Sequence, residues 1–340
     1  MSAPSQKVTS AEVALRAGVS RSAVSRVFTP GASASKETIR KVRTAAEELG
    51  YRPNILARAM VSGKSRIIGL VVAYLNNQFY PEILEKLSNA LRERGYHVLV
   101  FMTSRTEGNI DAVVDEILDY QVDGIIAASV ALSSDLSARC EAAGVPVVLF
   151  NRTQDGDALS DVTTDNYKGG RAVAEFLLAG GHHKIGYIAG WEGASTQRDR
   201  EAGFLDALAA AGMRLHAREV GNFVMEEAKS ATLRMFSNDP PDAVFVANDH
   251  MAIAVMDTLR HDLQLRIPED VSVVSYDDVS AASWPAYDLT TVRQPANQMV
   301  RETIDLLLGK IDDPDSPQRR IKIEGPLIVR GSARVPEDWR

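Results

Sequence analysis

The 340-residue chain has one cysteine, Cys140, so no internal disulfide can form, and such usage suits a reducing compartment. Cys140 lies in ARCEAAG, at the end of a predicted helix, where a buried inert thiol is expected and a nucleophile is not. No apolar run reaches the ~20 residues that span a bilayer. The N-terminal MSAPSQKVTS lacks the apolar segment of a secretion signal. A cytoplasmic protein with no membrane partner is therefore expected. Enzyme signatures are missing too. No G-x-G-x-x-G or G-x-x-x-x-G-K-[ST] follows a predicted strand, so nothing cradles nucleotide phosphates, and no G-x-S-x-G elbow presents a nucleophile. His182-His183, in GGHHKIG, reads as a solvated turn, because neighbouring side chains point to opposite faces. Asp277-Asp278 and Asp312-Asp313 lack metal-loop spacing. The expectation is no enzyme, no catalytic residue, no metal and no cofactor.

The charge is uneven. The net value of −7 argues against nucleic acid, but residues 1–66 hold 12 Lys+Arg against 4 Asp+Glu, a charge of +8. The remaining 26 basic and 41 acidic residues give −15. A basic head on an acidic body is the asymmetry of a DNA-binding unit joined to something else. Phosphates would repel the body, which confines contact to the head.

Thr9 to Phe28, TSAEVALRAGVSRSAVSRVF, reads as two short helices and a tight turn. Thr9 and Glu12 make a capping box. Val13, Ala14 and Ala17 share one face, and Gly18 stops the helix. Ser20 caps the second helix, whose apolar face is Ala23, Val24 and Val27. Ala14 and Ala23 are small enough for the helices to cross closely. Arg21, Ser22, Ser25 and Arg26 are left on the outer face. Arginine suits a bidentate contact to guanine and serine permits close approach, so this face fits a DNA major groove. An ordinary helical hairpin with a solvated polar face is the alternative. A third helix runs from Ser35 to Leu49 and ends at Gly50.

Then comes YRPNILARAMVSGKS. Pro53 fits a first helical turn, and Asn54 to Met60 could form two turns, marginal alone in water. It is either a plain tether or a helix that forms only against a twin or in a minor groove.

From Ile67 strands and helices alternate. IIGLVVAY, HVLVF, GIIAAS and VPVVLF, then DVTTDN, HHKIGYIAG, REVGNF, AVFVAND and VSVVSYDD, are strands separated by amphipathic helices. Continuous apolar strands of this kind are buried on both faces of a parallel sheet. Two such runs of similar length predict two doubly wound α/β lobes. Ligands in these sheets bind beyond the carboxyl ends of the strands. There stand Asn76 to Tyr80, Asn151 and Arg152, Trp191, Arg198 and Arg200, Asn222 and Phe223, Asn248 and Asp249, and Asp277 and Asp278. Amides, carboxylates and arginines give bidentate bonds, and aromatics cover a ring face, so the set suits a hydroxyl-rich ligand. Asp249 and Asp277 also sit where helix caps belong.

The chain resembles the lactose-repressor/galactose-repressor (LacI/GalR) family of bacterial transcriptional regulators. The likeness spans nearly the whole length. It rests on VALRAGVSRSAVSRVF, ELGYRPNILARAM, NNQFYPEIL, VPVVLFNR, DNYKGGRAVAEFLLAGGHHKIGYIAG, VFVANDHMAIAVM, IPEDVSVVSYDD and LTTVRQP. The resemblance implies an N-terminal all-α helix-turn-helix head over residues 1–52 and a hinge helix and linker over 53–66. A periplasmic-binding-protein-like core would follow, with one lobe from 67–165 plus 294–326 and another from 166–293 plus 327–340. Crossings are expected near Asp165-Asn166, Arg293-Gln294 and Pro326-Leu327.

The implied partners are near-palindromic double-stranded operator DNA, a second copy of the chain or a pair of dimers, and a small-molecule effector, usually a carbohydrate. Thr9, Arg21, Ser22, Ser25 and Arg26 would serve the head's DNA contacts. Asn54, Ala57 and Met60 would serve those of the hinge, Met60 standing where the family usually has a wedging leucine. The family's pocket positions match Phe79, Tyr80, Asn151, Arg152, Arg200, Phe223, Asn248 and Asp277, and Trp284 lies where many sugar-binding members place an aromatic. The expected function is a repressor acting at the nucleoid. A transport sugar-binding protein is the competing reading, opposed by the basic head and the missing signal.

Overall fold

The computed structural model describes residues 8–29, 32–52, 64–73, 75–103, 110–128, 134–154, 156 and 159–339. The predicted hinge positions Asn54, Ala57 and Met60 lie outside them. The chain divides into two compact units, 1–66 and 67–340.

In the first unit, α1 (Ser10–Ala17), α2 (Arg21–Phe28) and α3 (Lys36–Leu49) follow from local chemistry. The capping box forms: the Glu12 amide donates to Thr9 Oγ1, and the Thr9 amide donates to the Glu12 carboxylate at 2.7 Å. Gly18 takes φ 65°, the left-handed turn that ends α1. Ser20 Oγ accepts from the Ala23 amide at 3.2 Å and starts α2. Val13, Ala14, Val24, Val42, Ala45 and Ala46 form the buried centre. So small a unit buries little apolar surface, and each cap matters accordingly.

The second unit holds two six-stranded sheets among the described residues. The first lobe is built from β1 (Ile67–Val72), α4 (Phe79–Glu93), β2 (His97–Met102), α5 (Ile110–Asp119), β3 (Gly124–Ala128), α6 (Ser134–Ala142), β4 (Val147–Phe150) and β5 (Ser160–Thr164). The second takes α7 (Asn166–Ala179), β6 (Ile185–Ala189), α8 (Ser195–Ala210), β7 (Ala217–Val220), α9 (Met225–Met235), β8 (Ala243–Val246), α10 (Asp249–Asp257), β9 (Ser272–Asp277) and β10 (Thr290–Arg293). The chain then returns through α11 (Ala296–Asp312) and β11 (Arg320–Ile323) to the first lobe, and ends with β12 (Leu327–Ile328) in the second.

Strand order is β11-β5-β4-β3-β1-β2 in one sheet and β12-β10-β9-β8-β6-β7 in the other. Pairs are parallel throughout except β10 with β12. The chain therefore passes between the sheets at 165, at 294–295 and at 324–326. Each lobe has the reversal of strand order that opens a crevice at the strands' carboxyl ends.

Burial follows the apolar strands: β1, β3, β4, β6, β8 and β9 are buried along their whole length. Cys140 is buried among Val114, Leu149 and Phe101, as expected of an inert thiol. His182 corrects the solvated-turn reading. Its ring is 1% exposed, and Nδ1 lies 3.3 Å from Asp242 Oδ1. That carboxylate also accepts from the His183 and Lys184 amides, so the turn folds inward around Asp242. Burial holds the His182 pKa below its ordinary value, keeping the ring neutral.

Candidate functional site

The reading surface of the head comes from α2. Its apolar side carries Ala23 and Val24 into the three-helix core, so helical periodicity leaves Arg21, Ser22 and Arg26 exposed and Ser25 half-buried. Ser22 Oγ sits 2.9 Å from the capping Ser20 Oγ, within the first turn. No acidic residue lies in that turn, so its unpaired amides and Arg21 make a positive end. Thr9 is exposed, with its hydroxyl engaged by Glu12 at 2.9 Å. On α1, Arg16 is instead tied to Glu48 of α3 at 2.6 Å, which separates a structural arginine from Arg21 and Arg26 on the exposed face of α2.

The second constellation sits at the strand ends of the core. Phe79 and Tyr80 open α4, where Asn77 Oδ1 accepts the Phe79 amide at 3.1 Å. Their rings meet edge to face at 5.4 Å, and Phe79 lies along Phe150 at the end of β4. Asn151 follows β4 with φ 55° and donates from Nδ2 to the Tyr80 hydroxyl at 3.3 Å. Arg152 crosses to the other lobe: Nη1 donates to Thr196 Oγ1 at 2.7 Å, in the first turn of α8. Beside it the Thr153 amide donates to Ser195 Oγ at 2.9 Å. These bonds draw the lobes together along this edge.

Arg200, one turn further along α8, is 2% exposed. Its Nε donates to Asn166 Oδ1 at 2.8 Å and Nη1 to the Ala247 carbonyl at 2.6 Å. Nη2 approaches Asp277 Oδ1 at 3.5 Å, and the guanidinium lies 3.7 Å from the Tyr276 ring centre. Close approach of α7 and α8 makes this reach feasible. A Cβ on Gly170 would stand 2.1 Å from the Arg200 carbonyl oxygen, and one on Gly203 2.0 Å from that of Tyr167. Only glycine fits at either position. The KGG and AGF tripeptides of the sequence carried that signal, which the candidate set passed over.

Asn151, Asn222, Phe223, Asp277 and Asp278 all have positive φ, at 55°, 51°, 58°, 124° and 57°. Left-handed backbone at non-glycine residues is strained and gathers at ligand sites. Here it re-aims side chains just beyond the ends of β4, β7 and β9.

Two capping expectations change. Neither Asp249 nor Asp277 caps a helix; Asn248 does, its Oδ1 accepting the Met251 amide at 3.0 Å. That leaves Asn248 an amide NH2 to offer a ligand. Asp249 is wholly buried, accepting from the Val279 amide at 2.9 Å and from Thr291 Oγ1 at 2.7 Å. Burial, with the Asp277 carboxylate nearby, pushes its pKa up to about 8. Burial also raises Asp277, opposed by the Arg200 charge.

The structure thus brings Phe79, Tyr80, Asn151, Arg152, Arg200 and Asp277 to the strand ends, with Asn248 next to the Ala247 carbonyl that Arg200 holds. Trp284 is 52% exposed and lines a recess of about 170 Å³ with Asn76, Asn77, Met225, His250 and Tyr287, and Asn77 in turn holds the Phe79 amide. Reasoning from sequence missed Asn166, Thr196 and Gln294, because each is recognisable only by the residue it faces.

The sequence profile described as "Bacterial regulatory proteins, lacI family" matches residues 9–54, and that of a "Periplasmic binding protein-like domain" matches 174–333. The ribose operon repressor of Escherichia coli (strain K12) is 32% identical over 330 residues, 95% of this chain and 98% of that protein. The lac repressor dimer bound to operator and the anti-inducer ONPF superposes with a TM-score of 0.87 at 27% identity, over 96% of this chain and 99% of that one. A complex of the transcriptional regulator CelR with cellobiose gives a TM-score of 0.72 at 32% identity, over 96% and 100%.

Proposed function

Because the chain belongs to the lacI family of bacterial regulatory proteins, we propose that its core takes a neutral carbohydrate and that occupancy sets its affinity for operator DNA. The chain is a DNA-binding transcriptional regulator and not an enzyme. One observation carries the proposal. A single chain combines a basic head with an arginine-bearing exposed helix and an inter-lobe cluster of buried amides, carboxylates and arginines.

Phe79, Tyr80, Asn151, Arg152, Arg200, Phe223, Asn248 and Asp277 are the proposed effector contacts. The Arg200 charge already faces Asp277, which favours an uncharged polyol over an acidic sugar. The complex of the related CelR with cellobiose and the kinship to a ribose operon repressor support the sugar class. Trp284 and its recess flank this set.

Two copies would read a near-palindromic site, as dimers or paired dimers. Arg21, Ser22 and Arg26 would meet base edges and Ser25 and Thr9 the backbone. Asn54, Ala57 and Met60 would enter the minor groove as a hinge helix. Val100 and Met102, exposed on the edge strand β2, suit covering by the second copy. The site of action is then the cytoplasm, on the DNA of the nucleoid. A sugar can shift operator affinity only by its differential affinity for two lobe arrangements, typically ~1–3 kcal/mol.

The test is a thermal-shift and calorimetric screen of sugars on the full chain. It is followed by anisotropy titration of a palindromic duplex selected by the protein, with and without each sugar that binds. A sugar that binds yet leaves duplex affinity unchanged would sink the switching role. A chain that ignores every duplex at low salt would sink the whole reading.

A further inference from the structure

Five buried side chains close a ring that joins the lobes through two of their three crossings. Thr164, last residue of β5, donates from Oγ1 to Gln294 Oε1 at 2.9 Å. Gln294, on the second crossing, donates from Nε2 to Asp277 Oδ1 at 2.7 Å. Arg200 Nη2 approaches the same oxygen at 3.5 Å, while its Nε donates to Asn166 Oδ1 at 2.8 Å. Asn166, the first residue past the first crossing, donates from Nδ2 to the Thr164 carbonyl at 2.8 Å, which completes the circuit. All five residues are at most 5% exposed. The third crossing is attached as well. The Arg293 amide donates to the Pro326 carbonyl at 2.9 Å, and a Cβ on Gly325 would stand 2.2 Å from the Arg293 carbonyl oxygen.

We propose that Asn166 and Gln294 are positioning residues that turn effector contact at Arg200 and Asp277 into a change of lobe angle. The proposal rests on the effector reading above for Arg200 and Asp277, and adds the two residues bonded to them at the crossings. The physical reason lies in shared groups. Asp277 Oδ1 serves Gln294 at good distance and Arg200 at long distance. An effector hydroxyl that takes either partner must lengthen or replace a bond of the ring. In a buried site an unmade bond is costly, so the ring moves between complete arrangements and does not loosen gradually. Asn166 and Gln294 carry their bonds on the short segments, at 165 and 294–295, whose torsions any lobe rotation must change. The bonds at the ligand and the torsions at the crossings therefore cannot vary separately.

The test uses the full chain and two variants, Asn166→Ala and Gln294→Met, with cellobiose and ribose as probes. Calorimetry reads probe affinity, and duplex anisotropy reads the probe-induced shift in operator affinity. The expected result, read at saturating probe so that any loss of probe affinity drops out, is a shift cut to less than a third in both variants. A purely structural defect would lower probe affinity and unfolding midpoint together, leave no selective loss of the shift, and overturn the proposal. So would an unchanged shift in both variants.

A ligand-free readout keeps the ring separable from the effector reading. Spin labels at Glu116→Cys and Lys229→Cys, in a Cys140→Ser background diluted with unlabelled chain, report the distance between lobes. The variants should broaden or displace that distribution in the absence of any sugar, even if neither probe binds the wild type. A distribution identical to wild type in both would refute the ring's hold on the crossings.

Discussion

Gly203→Ala tests whether α7 and α8 lie backbone to backbone, the contact that lets Arg200 reach the crossings. The added Cβ would stand 2.0 Å from the Tyr167 carbonyl oxygen, and ordinary contact begins near 3.4 Å. The obstruction is backbone, so no side-chain rotation relieves it. Helix α8 must back away by roughly 1.4 Å, and overpacking of this kind typically costs ~1–3 kcal/mol. Arg200 lies three residues earlier on the same helix and moves with it. Its 2.8 Å bond to Asn166 and 2.6 Å bond to the Ala247 carbonyl then stretch past hydrogen-bond range. The expected outcome is a lower urea midpoint together with a tenfold or greater loss of sugar affinity. Gly309→Ala is the control, because that glycine of α11 is exposed with no atom within 4 Å of an added Cβ. There alanine should be neutral or stabilise by up to ~1 kcal/mol. A Gly203→Ala protein with the wild-type midpoint and undiminished sugar binding would refute the close approach.

Asp249 supplies a pH prediction. Folding raises its pKa from 3.8 to about 8, so between those values the folded chain holds a proton that the unfolded chain has released. Its contribution to stability therefore falls as pH rises through that window, by up to ~1.4 kcal/mol per unit. Asp249→Asn should flatten the decline in urea midpoint from pH 5 to 8. An identical slope in wild type and variant would contradict a protonated Asp249. In the head, Arg26→Ala should remove discrimination at one base position, worth ~1–3 kcal/mol in competition binding. Uniform weakening across sequences would make Arg26 a phosphate contact. Replacing 54–61 with a glycine–serine spacer should weaken operator binding by at least a hundredfold. An undiminished grip would exclude a folding hinge.

The elements were legible where local chemistry decides them. Thr9, Glu12, Gly18 and Ser20 mark the helix ends of the head by their own hydrogen bonds and backbone freedom. The apolar runs of β1, β3, β4, β6, β8 and β9 could only be strands buried on both faces. Strand-end residues were legible as a group, because parallel α/β topology places every carboxyl end on one side. Their individual roles were less so. Asn248 rather than Asp249 takes the cap, since Asp249 turns inward to Val279 and Thr291. Trp284 follows the 3-10 turn at 280–283 and shares a recess with residues of both lobes, a neighbourhood no local pattern announces.

By itself the sequence determined the division into a basic three-helix head and an acidic two-lobed core, and the family to which both belong. Capping, charge and apolar periodicity act over a few residues and need no distant partner. Tertiary structure alone decided which polar groups meet across the crossings. Thr164, Asn166, Arg200, Asp277 and Gln294 span 130 positions of chain, and two separate crossings bring them into one buried ring. His182 is likewise buried through Asp242, sixty residues on. Such pairings depend on how two sheets are threaded, and no local pattern of side chains records that.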